Sequence, residues 1–460
     1  MKKNFKLFGS ALIVLFAMFS CDKPEMDPMP ELIELKRANN GMIKSYDNTM
    51  VLKWNEALST AIDAKMPPPA ESRIYAMVSI AVHDALNNVV PKYETYALDN
   101  NWNDGKEVSK KTIYPVADAA VAQAAHDVLV ALYPLSKPNV DNLLTACLSE
   151  IEDSELKDIG VQIGTEAAAA ILSKRQGDVL PVFQVIDQGT EPGEYRSTPP
   201  FLFPNPPVWS ANSAYAPFWG NTEPFGILSG DQFRPNPPYA VTSPEYTADY
   251  NEVKLLGNNN SAERTEEQTE MVVFLTENMP SMLNRVAKAM VVKEKLNGFD
   301  AARLLALTQM TVADAIICSF DGNYHYKFWR PLTAIQQGEN DNNPDTEGDP
   351  SWGPVTAARV TPAIPSYPSA YSAAGRGGAE LFKMYFGTDN KSFTIESYMT
   401  AGERSYTSFS QLATDMGVSR IYGGHNFRND YLAGDKMGRE VAKYVYENKL
   451  KELKPNQLVK

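Results

Sequence analysis

Three short stretches collect side chains capable of chemistry. Ser419-Arg420-Ile421-Tyr422-Gly423-Gly424-His425-Asn426-Phe427-Arg428-Asn429-Asp430 sets an arginine, a histidine and an aspartate around two glycines, where backbone can approach a ligand closely. Phe328-Trp329-Arg330-Pro331 and Tyr367-Pro368-Ser369-Ala370-Tyr371 supply partners for it. Arg330, Ser369 and Arg420 together would make an oxyanion site. Guanidinium forks, a hydroxyl and helix N-terminal amides are the donors that a phosphate-shaped anion takes. Such a site needs local cations, because the chain as a whole is acidic. Lys plus Arg number 43 against 56 Asp plus Glu, a formal net charge of -13. That balance argues against nucleic acid or anionic lipid as the main partner.

The elements that must position these residues read as helices. The 460 residues, 43% of them hydrophobic, are ample for a large core. Ser72 is a plausible N-cap for a helix carrying Ile74, Met77, Val78 and Ala81 on one side, with satisfied, structural roles expected for His83 and Asp84. An Ala-rich helix over 115–133 stops at Tyr133-Pro134, and its His126 reads the same way. Helices are predicted over 138–151 and 157–175, the second ended by Gly177. Residues 178–255 are dominated by prolines, aromatics and glycines, and read as a covering loop, with no clear period from Tyr239 to Arg264. Helical patterns resume at 264–278, 281–296 and 299–319. The acidic loop from Asp341 to Asp349 fails the calcium-loop template, with Thr346 where a sharp-turn glycine belongs, and reads as solvated. Ser369 caps a further helix to about Tyr385, and 406–416 and 431–448 complete an all-α chain.

The N-terminus reads as an export signal. Lys2, Lys3 and Lys6 precede the apolar run Leu12 to Phe19, which is too short for a permanent span. Met18-Phe19-Ser20-Cys21 resembles a bacterial lipoprotein box in which Cys21 is lipidated; the plainer alternative is an ordinary signal peptide with an incidental cysteine. The expected organisation is a signal over 1–20, a lipidated Cys21 and Pro-rich tether over 21–31, and one helical domain over 32–460. The protein would then be exported and anchored to a bacterial membrane by lipid alone. Cys147 and Cys318 lie in apolar helical segments and are expected to be buried free thiols.

These motifs resemble the vanadium-dependent haloperoxidase and type 2 phosphatidic acid phosphatase superfamily, in its secreted bacterial haloperoxidase-like branch. The resemblance rests on Arg73-Ile74-Tyr75 with His83-Asp84-Ala85, on Gly230-Asp231-Gln232-Phe233-Arg234-Pro235, and on Arg264-Thr265-Glu266. Its strongest elements are Tyr324-His325-Tyr326 with Phe328-Trp329-Arg330-Pro331, and Ser419-Arg420-Ile421-Tyr422-Gly423-Gly424. It implies a helical-bundle fold with its core motifs between residues 323 and 430. It further implies a site for vanadate or phosphate, and either halide oxidation by peroxide or phosphate ester hydrolysis.

Position by position, the resemblance departs at the chemical groups. The family's lysine seven places before the Arg-Pro arginine falls on Asn323, with Lys327 only three residues away. Its Pro-Ser-Gly-His is Pro368-Ser369-Ala370-Tyr371, so Tyr371 replaces the acid–base histidine. The histidine that bonds vanadate or attacks phosphorus falls on Asn426, with His425 one residue early, while Asp430 matches the aspartate that orients it. An amide is a poor ligand and nucleophile, and a tyrosine with an ordinary pKa of about 10 is a poor acid near neutrality. Arg330, Ser369 and Arg420 survive. The expected anion site therefore comprises Arg330, Ser369, Ala370, Arg420 and Asn323, with degenerate or shifted catalytic positions at His425, Tyr371, Asn426 and Asp430. Any vanadate would lie near Asn426 and His425.

Three readings remain open. The first is a lipid-anchored protein that binds a small oxyanion or phosphorylated ligand without efficient turnover. The second is an active haloperoxidase or phosphatase with a rearranged site. The third is a scaffold lipoprotein using residues 178–255. The alternative to an anion pocket is that both arginines simply pair with core carboxylates such as Asp430.

Overall fold

The starts of the helices follow local chemistry. The computed structural model describes residues 39–63, 65–100, 108–198, 212–355, 361–398, 400, 402–454 and 457. The expected signal sequence, Cys21 and the tether lie outside the described residues. α1 spans Thr49–Ile62 and α2 Pro68–Val89. α2 begins at Pro68, not after Ser72 as the sequence predicts. Proline in the first turn forfeits no helical hydrogen bond, so Pro68 and Pro69 start the helix. Ser72 lies inside it, donating to the Pro69 carbonyl at 2.9 Å. α3 (Ile113–Leu132), α4 (Lys137–Ser149) and α5 (Glu155–Lys174) match the expected helices closely.

The described residues of the 178–255 stretch pack Tyr215, Trp219, Phe225 and Ile227 onto the core, as expected of a covering loop, but are not wholly irregular. β1 (Phe183–Val185) pairs antiparallel with β2 (Ser213–Tyr215), Gln184 standing opposite Ala214. α6 spans Pro244–Leu256, where no period was legible, because Asp249 shares its buried face with Tyr246, Tyr250 and Val253. Then come α7 (Glu266–Phe274), opened by a Thr265–Gln268 capping box, and α8 (Met279–Lys293). α9 (Gly298–Tyr326) runs past the expected end at 319 and carries Asn323 on its last turn. α10 (Pro331–Gln336), α11 (Ala370–Phe386), the antiparallel pair β3 (Phe393–Glu396) and β4 (Glu403–Tyr406), α12 (Phe409–Tyr422) and α13 (Arg428–Asn448) complete the chain. The fold is helical, with short strands only.

α9 lies at the centre, between α2 on one side and α11 on the other, with α8 and α13 also against it. Its apolar residues, Leu304, Leu305, Leu307, Met310, Val312, Ala315 and Ile316 among them, are almost fully buried. Buried polar groups on it hold the covering loop. Asp314 accepts the amides of Phe225, Gly226 and Ile227 at 2.6, 2.6 and 2.9 Å. Asp321 accepts two bonds from Arg234, at 2.6 and 2.9 Å. His83 and Asp84 are likewise satisfied, the first bonding the Glu94 carbonyl and the second accepting the amides of Tyr96, Ala97 and Leu98. Cys147 and Cys318 are buried free thiols. The acidic loop departs from the solvated reading: Asp341 is 2% exposed and accepts from the Asn343 amide and the Thr346 hydroxyl, so the loop folds onto its own carboxylate.

Candidate oxyanion site

Five elements bring the sequence-predicted residues to one place. Arg330 is the N-cap of α10, and Ser369 that of α11. Arg420 lies in the last turn of α12, Asp430 in the first turn of α13, and Asn323 at the end of α9. The connections are direct. Arg330 Nη1 donates to the His425 carbonyl at 2.9 Å, and the Ser369 amide to the Asp430 carbonyl at 3.0 Å. Asn323 Nδ2 donates to the Pro368 carbonyl at 2.8 Å, and the Arg420 guanidinium lies over the Tyr371 ring, 4.9 Å from its centroid. The turn from α12 to α13 closes by bonds from the amides of His425 and Asn426 to the Arg420 carbonyl. Gly424 sits in that turn at φ 77°, and a Cβ on it would fall 2.6 Å from the Gly257 carbonyl oxygen, so the turn demands glycine.

The arginines of the molecule divide by partner, and Arg196, Arg264 and Arg303, like Arg330, hydrogen-bond only neutral acceptors among the described residues. Arg73, Arg175, Arg234, Arg376 and Arg428 each hydrogen-bond a carboxylate. Arg330, 2% exposed, gives its Nε to the Ile364 carbonyl at 2.7 Å and its Nη1 to His425, both neutral acceptors. Arg420 Nε is buried and meets no acceptor among the described residues. Burial lowers both guanidinium pKa values to about 10; for Arg330 the neighbouring Arg420 acts in the same direction, while Tyr195 and Asp430 oppose it. Neither arginine takes Asp430 as a hydrogen-bond partner.

Asp430 serves Asn426. Its Oδ2 accepts from the Ser366 hydroxyl, from Asn426 Nδ2 at 3.1 Å and from the Phe427 amide at 2.9 Å. Burial raises its pKa, against the pull of those three donors and of Arg330. Asn426 Nδ2 also donates to the Ser366 carbonyl at 2.9 Å. The neighbouring His425 is buried, with its ring edge against Gly423. Tyr371 donates its hydroxyl to the Leu275 carbonyl at 2.6 Å, and burial holds its pKa well above the ordinary value despite Arg420. Lys327, beyond the end of α9, is exposed. Ser369 Oγ accepts the Ser372 amide and is 3.0 Å from Ser372 Oγ, while the amides of Ala370 and Tyr371 at the start of α11 have no acceptor among the described residues.

Two contributors were not legible. Ser366 has only proximity to the Pro368-Ser369 motif to mark it. Tyr195 comes from the covering loop: its amide donates to the Lys327 carbonyl at 2.7 Å and the Trp329 amide donates to Gly193, so this loop is zipped along the backbone leading to Arg330. Nothing in the sequence around Tyr195 announces that pairing.

Guanidiniums, a hydroxyl and helix-start amides are the kinds of donor that an oxyanion of phosphate or vanadate shape takes by hydrogen bonds. The site does not fit vanadate bonded through nitrogen at position 426, because an amide nitrogen already donating to Ser366 and Asp430 has no lone pair to offer.

Known proteins place this geometry in context. Residues 29–221 match the vanadium chloroperoxidase N-terminal domain, and residues 303–454 the VCPO second helical-bundle domain. The chain is 24% identical to the vanadium chloroperoxidase of Curvularia inaequalis over 417 residues, 78% of this chain and 68% of that protein. Its fold is similar to the crystal structure of the first bacterial vanadium-dependent iodoperoxidase, with a TM-score of 0.69 and 21% identity, covering 93% of this chain and 98% of the other. An apo-type bacterial vanadium-dependent chloroperoxidase superposes with a TM-score of 0.65 at 14% identity, over 84% of this chain and 94% of its own. By its two matched domains, its curated relative and its fold, the chain belongs to the vanadium-dependent haloperoxidase superfamily.

Proposed function

We propose that this protein binds a small tetrahedral oxyanion, or a ligand carrying one, at Arg330 and Arg420, without efficient turnover. The observation that carries this reading is a pair of neighbouring guanidiniums, Arg330 buried and Arg420 half-buried with its Nε enclosed, with no carboxylate hydrogen-bonded to either among the described residues. A buried cation without a counter-ion is costly, and an anion held there would offset that cost. Impaired chemistry is supported by the two replaced groups. Asn426 is committed to Ser366 and Asp430, and the Tyr371 proton to Leu275. The superfamily's vanadate makes vanadate and phosphate the first probes.

Calorimetric titration of the full chain with orthovanadate and with phosphate tests the reading. Binding in the micromolar range that falls at least about tenfold in Arg330→Gln supports it. Absence of binding to both anions would leave the arginines structural. Halide oxidation by peroxide, or phosphate ester hydrolysis, that disappears in His425→Ala would replace it with a rearranged enzyme. We propose further that Cys21 carries a lipid that holds the protein to a membrane after export. The support is the basic start, the short apolar run and the placement of Cys21 at its end. Metabolic labelling with a lipid probe should mark the wild type and not Cys21→Ser, and equal labelling of both would end the idea.

A further inference from the structure

Around Arg330 the polar atoms with no partner among the described residues are of two kinds. On the donor side are Arg420 Nε and the hydroxyl of Tyr195, a residue 2% exposed, whose oxygen Ser197 approaches while its proton has no acceptor among those residues. On the acceptor side are Asn323 Oδ1 and Asp430 Oδ1, in residues fully or almost fully buried. The Asn323 amide is oriented by chemistry: a carbonyl only accepts, so the atom bonded to the Pro368 carbonyl is the nitrogen, and the unmatched atom is the oxygen. A fully deprotonated oxyanion brings acceptors alone and leaves both oxygens bare. An oxyanion that retains a proton has one to give.

Charge points the same way. Arg330 is within electrostatic reach of Arg420, Asp430, Tyr195 and Tyr324. Burial keeps both tyrosines neutral, Tyr195 at about 12 and Tyr324 well above its ordinary value. With Asp430 ionised, as its three donors and Arg330 favour against burial, two guanidiniums and one carboxylate leave a single net positive charge, which matches one negative charge better than two. The other titratable groups facing the cluster are Tyr371 from α11, His425 from the turn before α13, Tyr367, and Tyr246 and Asp249 from α6, the last raised to about 6 by burial and within electrostatic reach of Asp430, while Asp321 on α9 is engaged by Arg234.

We propose that the site takes the singly ionised, proton-bearing form of a tetrahedral oxyanion, dihydrogen phosphate being the simplest, with Asn323 selecting for the retained proton and Tyr195 adding a donor. This rests on the oxyanion reading above and narrows it to one ligand state. Asn323 is on this account a specificity-determining residue, acting through an acceptor where a cationic side chain would have favoured the more highly charged anion.

Calorimetric titration of the full chain with phosphate and with sulfate, each at pH 6 and pH 8, decides the matter. Sulfate carries no proton at either pH. Phosphate affinity should fall about tenfold from pH 6 to pH 8, following the loss of its monoanion. Sulfate should bind at least roughly tenfold more weakly than phosphate at pH 6, without that dependence. Asn323→Lys should strengthen sulfate binding and abolish the fall for phosphate. Should that variant fail to fold, Tyr195→Phe serves, weakening phosphate several-fold with its pH dependence intact. Equal binding of sulfate and phosphate with one shared pH dependence would overturn the proposal and leave the oxyanion site standing. No binding of either anion at either pH would overturn the oxyanion reading itself, and this proposal with it.

Discussion

Asn426 is the residue on which the chemistry of this chain turns. Its amide nitrogen is shared between the Ser366 carbonyl and Asp430, the same carboxylate that takes the Phe427 amide and the Ser366 hydroxyl. The carboxylate thus remains in place with an amide, not an imidazole, to orient. Asn426→His would set a ring nitrogen beside Asp430, which can hold the other ring N–H and so fix the tautomer. Vanadate affinity is expected to rise at least about tenfold, while phosphate, which gains no bond to nitrogen, changes little. Titration with both anions checks this, and a parallel rise for both would contradict it. The larger ring is expected to cost about 1–3 kcal/mol of stability at a buried position, a loss readable by thermal unfolding. His425 is not an equivalent donor, since the Asp430 bonds run to its neighbour.

Elements hold these residues in register by backbone approach. α11 and α13 pack so closely that a Cβ on Gly438 would lie 2.2 Å from the Ala373 carbonyl and 2.9 Å from the Gly377 amide. Backbone on both sides cannot step aside, so Gly438→Ala is expected to destabilise the fold by more than ~2 kcal/mol. It should also weaken anion binding, because separating α11 from α13 pulls on the bond from the Ser369 amide to the Asp430 carbonyl. Gly177→Ala, which meets nothing within 4 Å, is the control and should stay within about 0.5 kcal/mol. Equal effects would mean that the contact is slack. The same scale explains what could be read in advance. The α11 start was legible because Ser369 is a capping residue ahead of a small-residue run, and the α9 core because its apolar face is continuous. α6 was not, since a carboxylate interrupts its buried face, nor was Tyr195, since long-range backbone pairing leaves no local pattern. The convergence of Arg330, Ser369, Arg420 and Asp430 was legible only through the motifs; that the arginines meet carbonyls and a ring face follows from long-range packing, which leaves no local pattern.

Across the whole molecule, buried carboxyls set how stability responds to pH. Glu71 is fully buried, and its pKa is pushed up to about 8 by loss of water, against bonds from Asn278 and Ser281. Glu277, 1% exposed, is pushed up to about 7 in the same way, with Arg285 opposing. Asp84 and Asp314 are raised to about 6, again by burial. A carboxyl whose folded pKa exceeds its unfolded value makes the folded state the better proton binder between the two. Its contribution is complete below the unfolded pKa and is lost as pH rises through the folded one. Stability should therefore decline from about pH 5 to pH 8, the net charge of -13 adding self-repulsion in the same direction. His83 acts oppositely but lower, its pKa reduced to about 4 by burial, so it withdraws stability only as pH falls below its unfolded value. The melting temperature is thus expected to be higher at pH 6.5 than at pH 8.5. A full proton taken up on folding is worth about 1.4 kcal/mol per pH unit. Glu71→Gln keeps the shape of the side chain and removes its titration, so it should flatten that dependence most between about pH 5.5 and pH 7.5. A melting curve series in which Glu71→Gln keeps the wild-type slope would show that the proton is not held at Glu71.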